Sequence, residues 1–171
     1  MATIEVMISA EQIDERIREL AKEVRQHYAG KTITCIGVLK GCFVFMADFV
    51  RALEGDVTVE FLGVSSYRGT QSSGEVRITH DLNVPIEGRD CLIVEDIVDT
   101  GLTLAFLHKT LSVRKPASLR VVTLLDKPSR RAVEVQVDWV GFTIPDAFVI
   151  GYGLDLDQRY RNLPYIGLYQ G

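Results

Sequence analysis

The chain has little sulfur, little histidine and no long apolar run. Its three cysteines, Cys35, Cys42 and Cys91, are an odd number and contain no CxxC pair. That excludes a disulfide framework, and a zinc site would need closer spacing and histidine partners. Two of the three sit in apolar, strand-like runs, so all are read as buried, reduced thiols. His27, His80 and His108 are scattered in polar contexts, none with a visible partner to tune it, and none is taken as catalytic. No apolar stretch is long enough to span a bilayer. The first twenty residues lack the basic flank, apolar block and cleavage site of a signal peptide. A cytoplasmic protein with no membrane partner is expected. The net charge of -4 supplies no global basic field. Basic and aromatic residues are not interleaved either, so no nucleic-acid partner is expected.

What is present is an ordinary globular composition, 47% apolar and 25% charged, over 171 residues. That length fits one domain, 1–171, with a sizeable core. Ser9 followed by Gln12 is a capping-box pattern, and Ile13, Ile17, Leu20, Ala21 and Val24 then repeat at helical spacing until Gly30. Residues 32–39 form a short β-branched run, apolar on both faces, as strands of parallel sheets are. A second helix is expected over about 43–53 and a second strand over 56–67. A third strand is expected over 91–97, and a third helix ending before Pro116. A fourth strand follows over 118–128, and a fifth strand region over 137–153, interrupted at Ile144-Pro145. Alternating strands and helices predict an α/β fold, an open and mostly parallel sheet with helices on both faces. Ligands of such sheets bind beyond the carboxyl ends of the strands. Four segments converge there: LKGC, SSYRGT, EDIVDTG and DKPSRR.

The sharpest signal is VEDIVDTGLT, residues 94–103. Glu95, Asp96 and Asp99 crowd negative charge onto the end of an apolar strand, which repulsion and desolvation both oppose. Thr100, Gly101 and Thr103 follow at a helix start, where free amides, a positive dipole end and hydroxyls form an anion site. A ligand with hydroxyls at one end and phosphate at the other, such as a ribose 5-phosphate, satisfies both halves. A divalent cation would relieve the remaining repulsion. Asp-Thr-Gly also occurs in aspartic proteases, but those are all-β, which the alternation contradicts. Asp99 is also a plausible helix N-cap. Capping does not explain Glu95 and Asp96. Residues 65–88 are long, rich in Ser, Gly and Thr, and fit either a lid over the site or an exposed β-hairpin.

These segments together resemble the type I phosphoribosyltransferases, and within them the branch that acts on 6-oxopurines. VEDIVDTGLT matches the phosphoribosyl-pyrophosphate motif, LKGC the pyrophosphate loop and SSYRG the Ser-Tyr of a mobile lid. LLDKP matches the purine-selecting lysine, and PDAFVIGYGLDLDQRYRNLPYIG the C-terminal signature. The match covers nearly the whole chain. The resemblance implies an α/β domain with a small hood and a mobile lid loop. It implies a transferase of purine salvage. Hypoxanthine, and guanine as well, displaces pyrophosphate from phosphoribosyl pyrophosphate to give IMP or GMP through an oxocarbenium-like transition state.

Carried over residue by residue, Glu95 and Asp96 hold the ribose hydroxyls, partly through Mg²⁺. Asp99 faces N7 of the purine as general base. Thr100, Gly101, the Leu102 amide and Thr103 hold the 5′-phosphate. Many relatives carry lysine where Leu102 stands. Lys40, Gly41 and Arg161 meet the pyrophosphate, and the Leu39-Lys40 bond is expected to be cis or able to become so. Ser66 and Tyr67 belong to the lid. Lys127 donates to the purine O6, which suits a 6-oxo group and excludes adenine; without the motif it reads as a solvated loop charge. Phe148 stacks on the base and Val149 touches it through its backbone, although Phe148 equally fits a core aromatic. Asp155 is a ligand of a second magnesium. Cys42 departs from the Gly, Ala or Ser of that loop, a small change. A homodimer or homotetramer is implied. A regulator that keeps this fold but binds nucleic acid is disfavoured by Asp99, by Ser66-Tyr67 and by the acidic balance. A xanthine- or guanine-preferring enzyme is the nearest competitor.

Overall fold

A computed structural model describes residues 3–67 and 75–170. Nine strands run β1 (Thr3–Ile8), β2 (Ile33–Leu39), β3 (Val57–Tyr67), β4 (Glu75–His80), β5 (Asp90–Val98), β6 (Ser118–Asp126), β7 (Trp139–Thr143), β8 (Val149–Ile150) and β9 (Ile166–Gln170) among the described residues. The helices are α1 (Ala10–His27), α2 (Phe43–Ala52) and α3 (Leu102–Ser112). The main sheet has the order β4-β3-β2-β5-β6-β7. Its neighbours pair in parallel except β4, which is antiparallel to β3. All of β2 but its last residue is buried, as a strand covered on both faces requires.

Side-chain alternation divides the core between two faces. Leu92 and Val94 of β5 join Ile13, Ile17 and Leu20 of α1 and Phe45 and Phe49 of α2. Cys91 and Ile93 point the other way, against Leu104, Leu107 and Leu111 of α3. Helices therefore cover both faces, as the alternation predicts. The start of α1 is the expected capping box: Gln12 N donates to Ser9 Oγ at 3.2 Å, and Ser9 N to Gln12 Oε1 at 2.9 Å.

The C-terminal segment differs from the single interrupted strand expected of it. Only β7 joins the main sheet. Beyond Pro145, which has no N–H to continue a ladder, β8 belongs to a second sheet of order β1-β9-β8. There the two ends of the chain pair antiparallel, Thr3 with Gln170 and Ile4 with Tyr169.

Residues 65–88 begin as a β-hairpin arm. β3 outruns β2, whose last partner is Gly63, and continues paired to β4 alone: Ser65 with Arg77, Ser66 with Val76, Tyr67 with Glu75. Because β2 and β3 are parallel, the arm extends past the carboxyl edge of the sheet. The middle of the segment expected as a lid, 68–74, lies outside the described residues. No helix among the described residues is long and apolar enough to cross a membrane.

All three cysteines are buried with no exposed surface. Burial pushes the Cys35 thiol up to about 12 and the Cys91 thiol up to about 11. Burial, then the charges of Asp96 and Glu95, push Cys42 further still. At pH 8 the native protein should therefore react with a thiol reagent at least about 10²-fold more slowly than free cysteine. All three thiols should titrate once urea unfolds it. Rapid native labelling of any of them would contradict this burial.

Candidate active site

The parallel strands bring their carboxyl ends to one edge, and loops from four of them meet there. After β2 the Leu39-Lys40 peptide bond is cis. Gly41 then passes so close to Asp96 that a Cβ on it would lie 1.7 Å from Asp96 Oδ2. From the far side Gly153, in left-handed backbone at φ +97°, packs on the Gly41 carbonyl, where a Cβ would come within 2.1 Å of the oxygen. Position 153 therefore admits only glycine, and a side chain at 41 would displace the Asp96 carboxylate.

Strand alternation still operates at the end of β5. Glu95, 5% exposed, lines a small pocket of about 220 Å³ with Asp99, Thr100, Gly101 and Thr103. Asp96 faces Gly41 instead, and its Oδ1 accepts the Ile97 amide at 2.8 Å. Burial and the adjacent Asp96 charge push the Glu95 carboxyl well above its ordinary value. Asp96 is pushed up to about 6, chiefly by burial, with its amide hydrogen bonds and Arg161 pulling it back. Two acids held at such a cost sit where a cation or a set of hydroxyl donors would relieve them.

Gly101, at φ +85°, turns the chain into α3 and leaves the first amides of that helix open towards the pocket. The Leu102 amide reaches only the Thr100 hydroxyl, at 3.4 Å, and the Leu102 side chain is exposed. The backbone donor at 102 does not depend on the side chain. From behind, Ala132 N donates to Thr100 O at 2.9 Å. A Cβ on Gly101 would meet the Val133 carbonyl at 3.1 Å.

The loop after β6 carries Lys127. Its amide donates to Val98 O at 2.9 Å, which ties this loop to the Asp99 loop. The side chain is only 7% exposed, and no carboxylate among the described residues forms an ion pair with it. The bland expectation of a solvated loop lysine is therefore corrected: Lys127 is a buried cation. The corresponding expectation of a core aromatic fails for Phe148, which is 52% exposed and meets Tyr169 edge-on at 6.2 Å between ring centroids. Val149 beside it is buried.

The C-terminal loop forms the remaining wall. Arg161 donates to the Gly153 carbonyl at 2.7 Å and pairs with Asp155 Oδ1 at 3.0 Å. Asp155 Oδ2 accepts the Gln158 amide at 2.8 Å. The Gln158 side-chain oxygen accepts from Arg161 at 3.0 Å and from Lys40 at 3.4 Å. Lys40, Asp155 and Arg161 are thus one cluster, joined by Gln158, a residue the sequence did not single out. Tyr152, Asp157, Gln158 and Tyr160 all hold positive φ, from 49° to 71°. Strain of this kind persists only where surroundings enforce it and gathers at functional sites. A larger cavity of about 590 Å³, between α1, α2 and this loop, contains Arg161 but none of the acids of β5.

Two arginines after Lys127 also went unread as site residues. Arg130 Nε donates to Asp99 Oδ1 at 3.1 Å, and Arg131 donates to the Asp99 carbonyl at 2.8 Å. Their only signal was position, at a strand's carboxyl end. Ser66 is exposed on the arm, and Tyr67 pairs through its backbone with Glu75. Among the described residues no cluster of three or more His, Cys, Asp or Glu side chains forms a metal cage. Glu95, Asp96 and Asp155 could hold an ion only if the ligand supplied further oxygens, the habit of Mg²⁺ with phosphates.

Known proteins resemble the chain over nearly its whole length. The family model for the phosphoribosyl transferase domain matches residues 9–157. The hypoxanthine-guanine phosphoribosyltransferase of Bacillus subtilis is 51% identical over 164 residues, 95% of this chain and 91% of the relative. The bifunctional protein TilS/HprT of Listeria monocytogenes is 50% identical over 164 residues, and there the chain spans only 25% of the relative's length. The crystal structure of a hypoxanthine-guanine phosphoribosyltransferase from Bacillus anthracis superposes with a TM-score of 0.93 at 43% identity, covering 100% of both chains. An open, mostly parallel sheet, a strand-end acid pair beside an anion-ready helix start, and these likenesses lead to one conclusion: the chain belongs to the phosphoribosyltransferase family.

Proposed function

We propose that the protein transfers the 5-phosphoribosyl group of phosphoribosyl pyrophosphate to hypoxanthine, and also to guanine, giving IMP or GMP and pyrophosphate in purine salvage. The observation that carries this is buried Glu95 with its half-buried neighbour Asp96, beside the open amides of Gly101–Thr103, with the buried Lys127 at the same sheet edge. The first two features suit a sugar phosphate. The third suits a carbonyl oxygen on the base, because an ammonium donates and cannot accept, so a 6-amino purine gains nothing there.

In this reading the ribose hydroxyls lie against Glu95 and Asp96, whose negative charge also favours a sugar turning cationic. The 5′-phosphate takes the amides and hydroxyls of Thr100, Gly101, Leu102 and Thr103. The pyrophosphate meets Lys40, Gly41 and Arg161. The purine stacks on Phe148, touches the Val149 backbone and accepts from Lys127 through O6. As the C1′–oxygen bond to pyrophosphate breaks and the C1′–nitrogen bond to the purine forms, Asp99 takes the ring proton at N7. Ser66 and Tyr67 belong to a lid that closes over the site and excludes water. Magnesium, held by Glu95 and Asp96 with a second ion at Asp155, would neutralise the carboxylates and the departing phosphates. Asp155 already shares its oxygens with Arg161 and the Gln158 amide, so it would bind through its remaining lone pairs. Residues 1–171 act as one domain in this reading, in a homodimer or homotetramer in the cytoplasm, where such charged substrates are held.

The deciding assay supplies phosphoribosyl pyrophosphate, magnesium and one purine at a time, and measures nucleotide formed. Hypoxanthine and guanine should both yield nucleotide and adenine none. Nucleotide from adenine, or from xanthine alone, would overturn the base assignment.

A further inference from the structure

Arg130 makes contacts that the reading above leaves unused. Its Nε donates to Asp99 Oδ1 at 3.1 Å, and its Nη1 lies 3.8 Å from Asp146 Oδ2. Asp146 stands two residues before Phe148. One guanidinium therefore spans the loop that carries the acid and the loop that carries the aromatic ring.

The turn that presents Arg130 is itself fixed. It is a short 3₁₀ turn, Pro128–Arg130, in which Arg130 N donates to Lys127 O at 3.1 Å. Lys127 N is bonded to Val98 O, and Arg131 donates to the Val98 and Asp99 carbonyls at 3.2 and 2.8 Å and to Asp126 at 2.5 Å. The backbone of the Asp99 loop and the backbone of the Arg130 turn are thus held together before their side chains meet.

Stability does not account for the pair. Arg130 and Asp99 are 47% and 40% exposed, and exposed ion pairs contribute little. Orientation does. An aspartate on a turning loop is free about two side-chain torsions. A donor fixed on Oδ1 sets the plane of the carboxylate and leaves Oδ2 open, and a base must lie within hydrogen-bond reach of its proton.

We propose that Arg130 is a positioning residue: it aims the Asp99 carboxylate and ties it, through Asp146, to the loop that bears Phe148, so that base and stacking ring keep one geometry. The proposal rests on the reading of Asp99 as the base. Lysine at this position could donate to Oδ1 but lacks the fork that reaches Asp146 as well.

The test compares kcat and KM for the full chain carrying Arg130→Met, Arg130→Lys, Asp99→Ala and the Arg130→Met/Asp99→Ala pair. Arg130→Met should lower kcat by up to about 10²-fold, the cost of a misplaced catalytic group. KM for phosphoribosyl pyrophosphate should stay within about twofold. Arg130→Lys should recover part of the loss. In the Asp99→Ala background Arg130→Met should change nothing further, because the two act as one unit. Undiminished kcat in Arg130→Met, with a slow Asp99→Ala, removes the positioning role and leaves the base. Losses that add in the double variant remove it too. Undiminished turnover in Asp99→Ala removes the base and this proposal together.

Discussion

Asp99→Ala should lower turnover by about 10²–10⁴-fold, the usual worth of a general base, with the affinity for phosphoribosyl pyrophosphate largely kept. The reason for the split lies in where the side chain sits. Thr100, Gly101 and Thr103, with the amides that open α3, line the pocket offered to the phosphate, and none of them depends on the Asp99 carboxylate. The loop backbone is held by Arg131 at the Asp99 carbonyl and by Ala132 at the Thr100 carbonyl, and an alanine at 99 preserves both bonds. The carboxylate instead points to Arg130, on the turn that follows Lys127. Steady-state kinetics on the variant decide the matter. A fall in kcat with KM for phosphoribosyl pyrophosphate near normal fits a group used only in the transition state. Full turnover would remove Asp99 as the base.

Lys127→Ala should act on the other substrate. A hydrogen bond from a charged donor is worth about 1.5–3 kcal/mol, so hypoxanthine should bind roughly 10- to 150-fold more weakly. Binding of phosphoribosyl pyrophosphate should change much less, because the contacts proposed for it belong to the ends of β2 and β5 and to the C-terminal loop. The buried state of Lys127 adds a second expectation. A lysine that is 7% exposed as a residue and has no ion-pair partner among the described residues is costly to fold. Lys127→Met, which keeps the stem and discards the charge, should therefore raise the melting temperature of the ligand-free protein while losing hypoxanthine affinity. Calorimetry with each substrate separates the two effects. Equal loss of both affinities would mean that the lysine does not serve the base.

The parts of this structure that were legible in the sequence are those set by local pattern. The buried parallel strands β2, β5 and β6 are continuous apolar runs, and α1 carries its own cap and stripe. The acid pair stood out because Glu95 and Asp96 follow four apolar residues at once. The unread parts depend on distant partners. β1 and β9 pair the two ends of the chain, Thr3 with Gln170, and neither segment announces the other. β8 is two residues long and departs from β7 to another sheet after Pro145. Glu95 and Asp96 are neighbours on a strand, and alternation sends neighbours to opposite sides. In the fold each keeps its side, Glu95 towards the helix start and Asp96 towards Gly41. Lys127 and Phe148 had opposite bland readings, solvated charge and core ring, and burial reverses both. Gln158 and Arg130 were invisible because their roles come from contacts across 118 and 31 residues.

The core of the account is that one ligand spans the acids of β5 and the first amides of α3. A crystal structure with bound IMP measures this directly. The account predicts the phosphate on the amides of Gly101, Leu102 and Thr103, the ribose hydroxyls against Glu95 and Asp96, and O6 within hydrogen-bond distance of Lys127 Nζ. Nucleotide density in the cavity between α1 and α2, or a phosphate away from the start of α3, would contradict it.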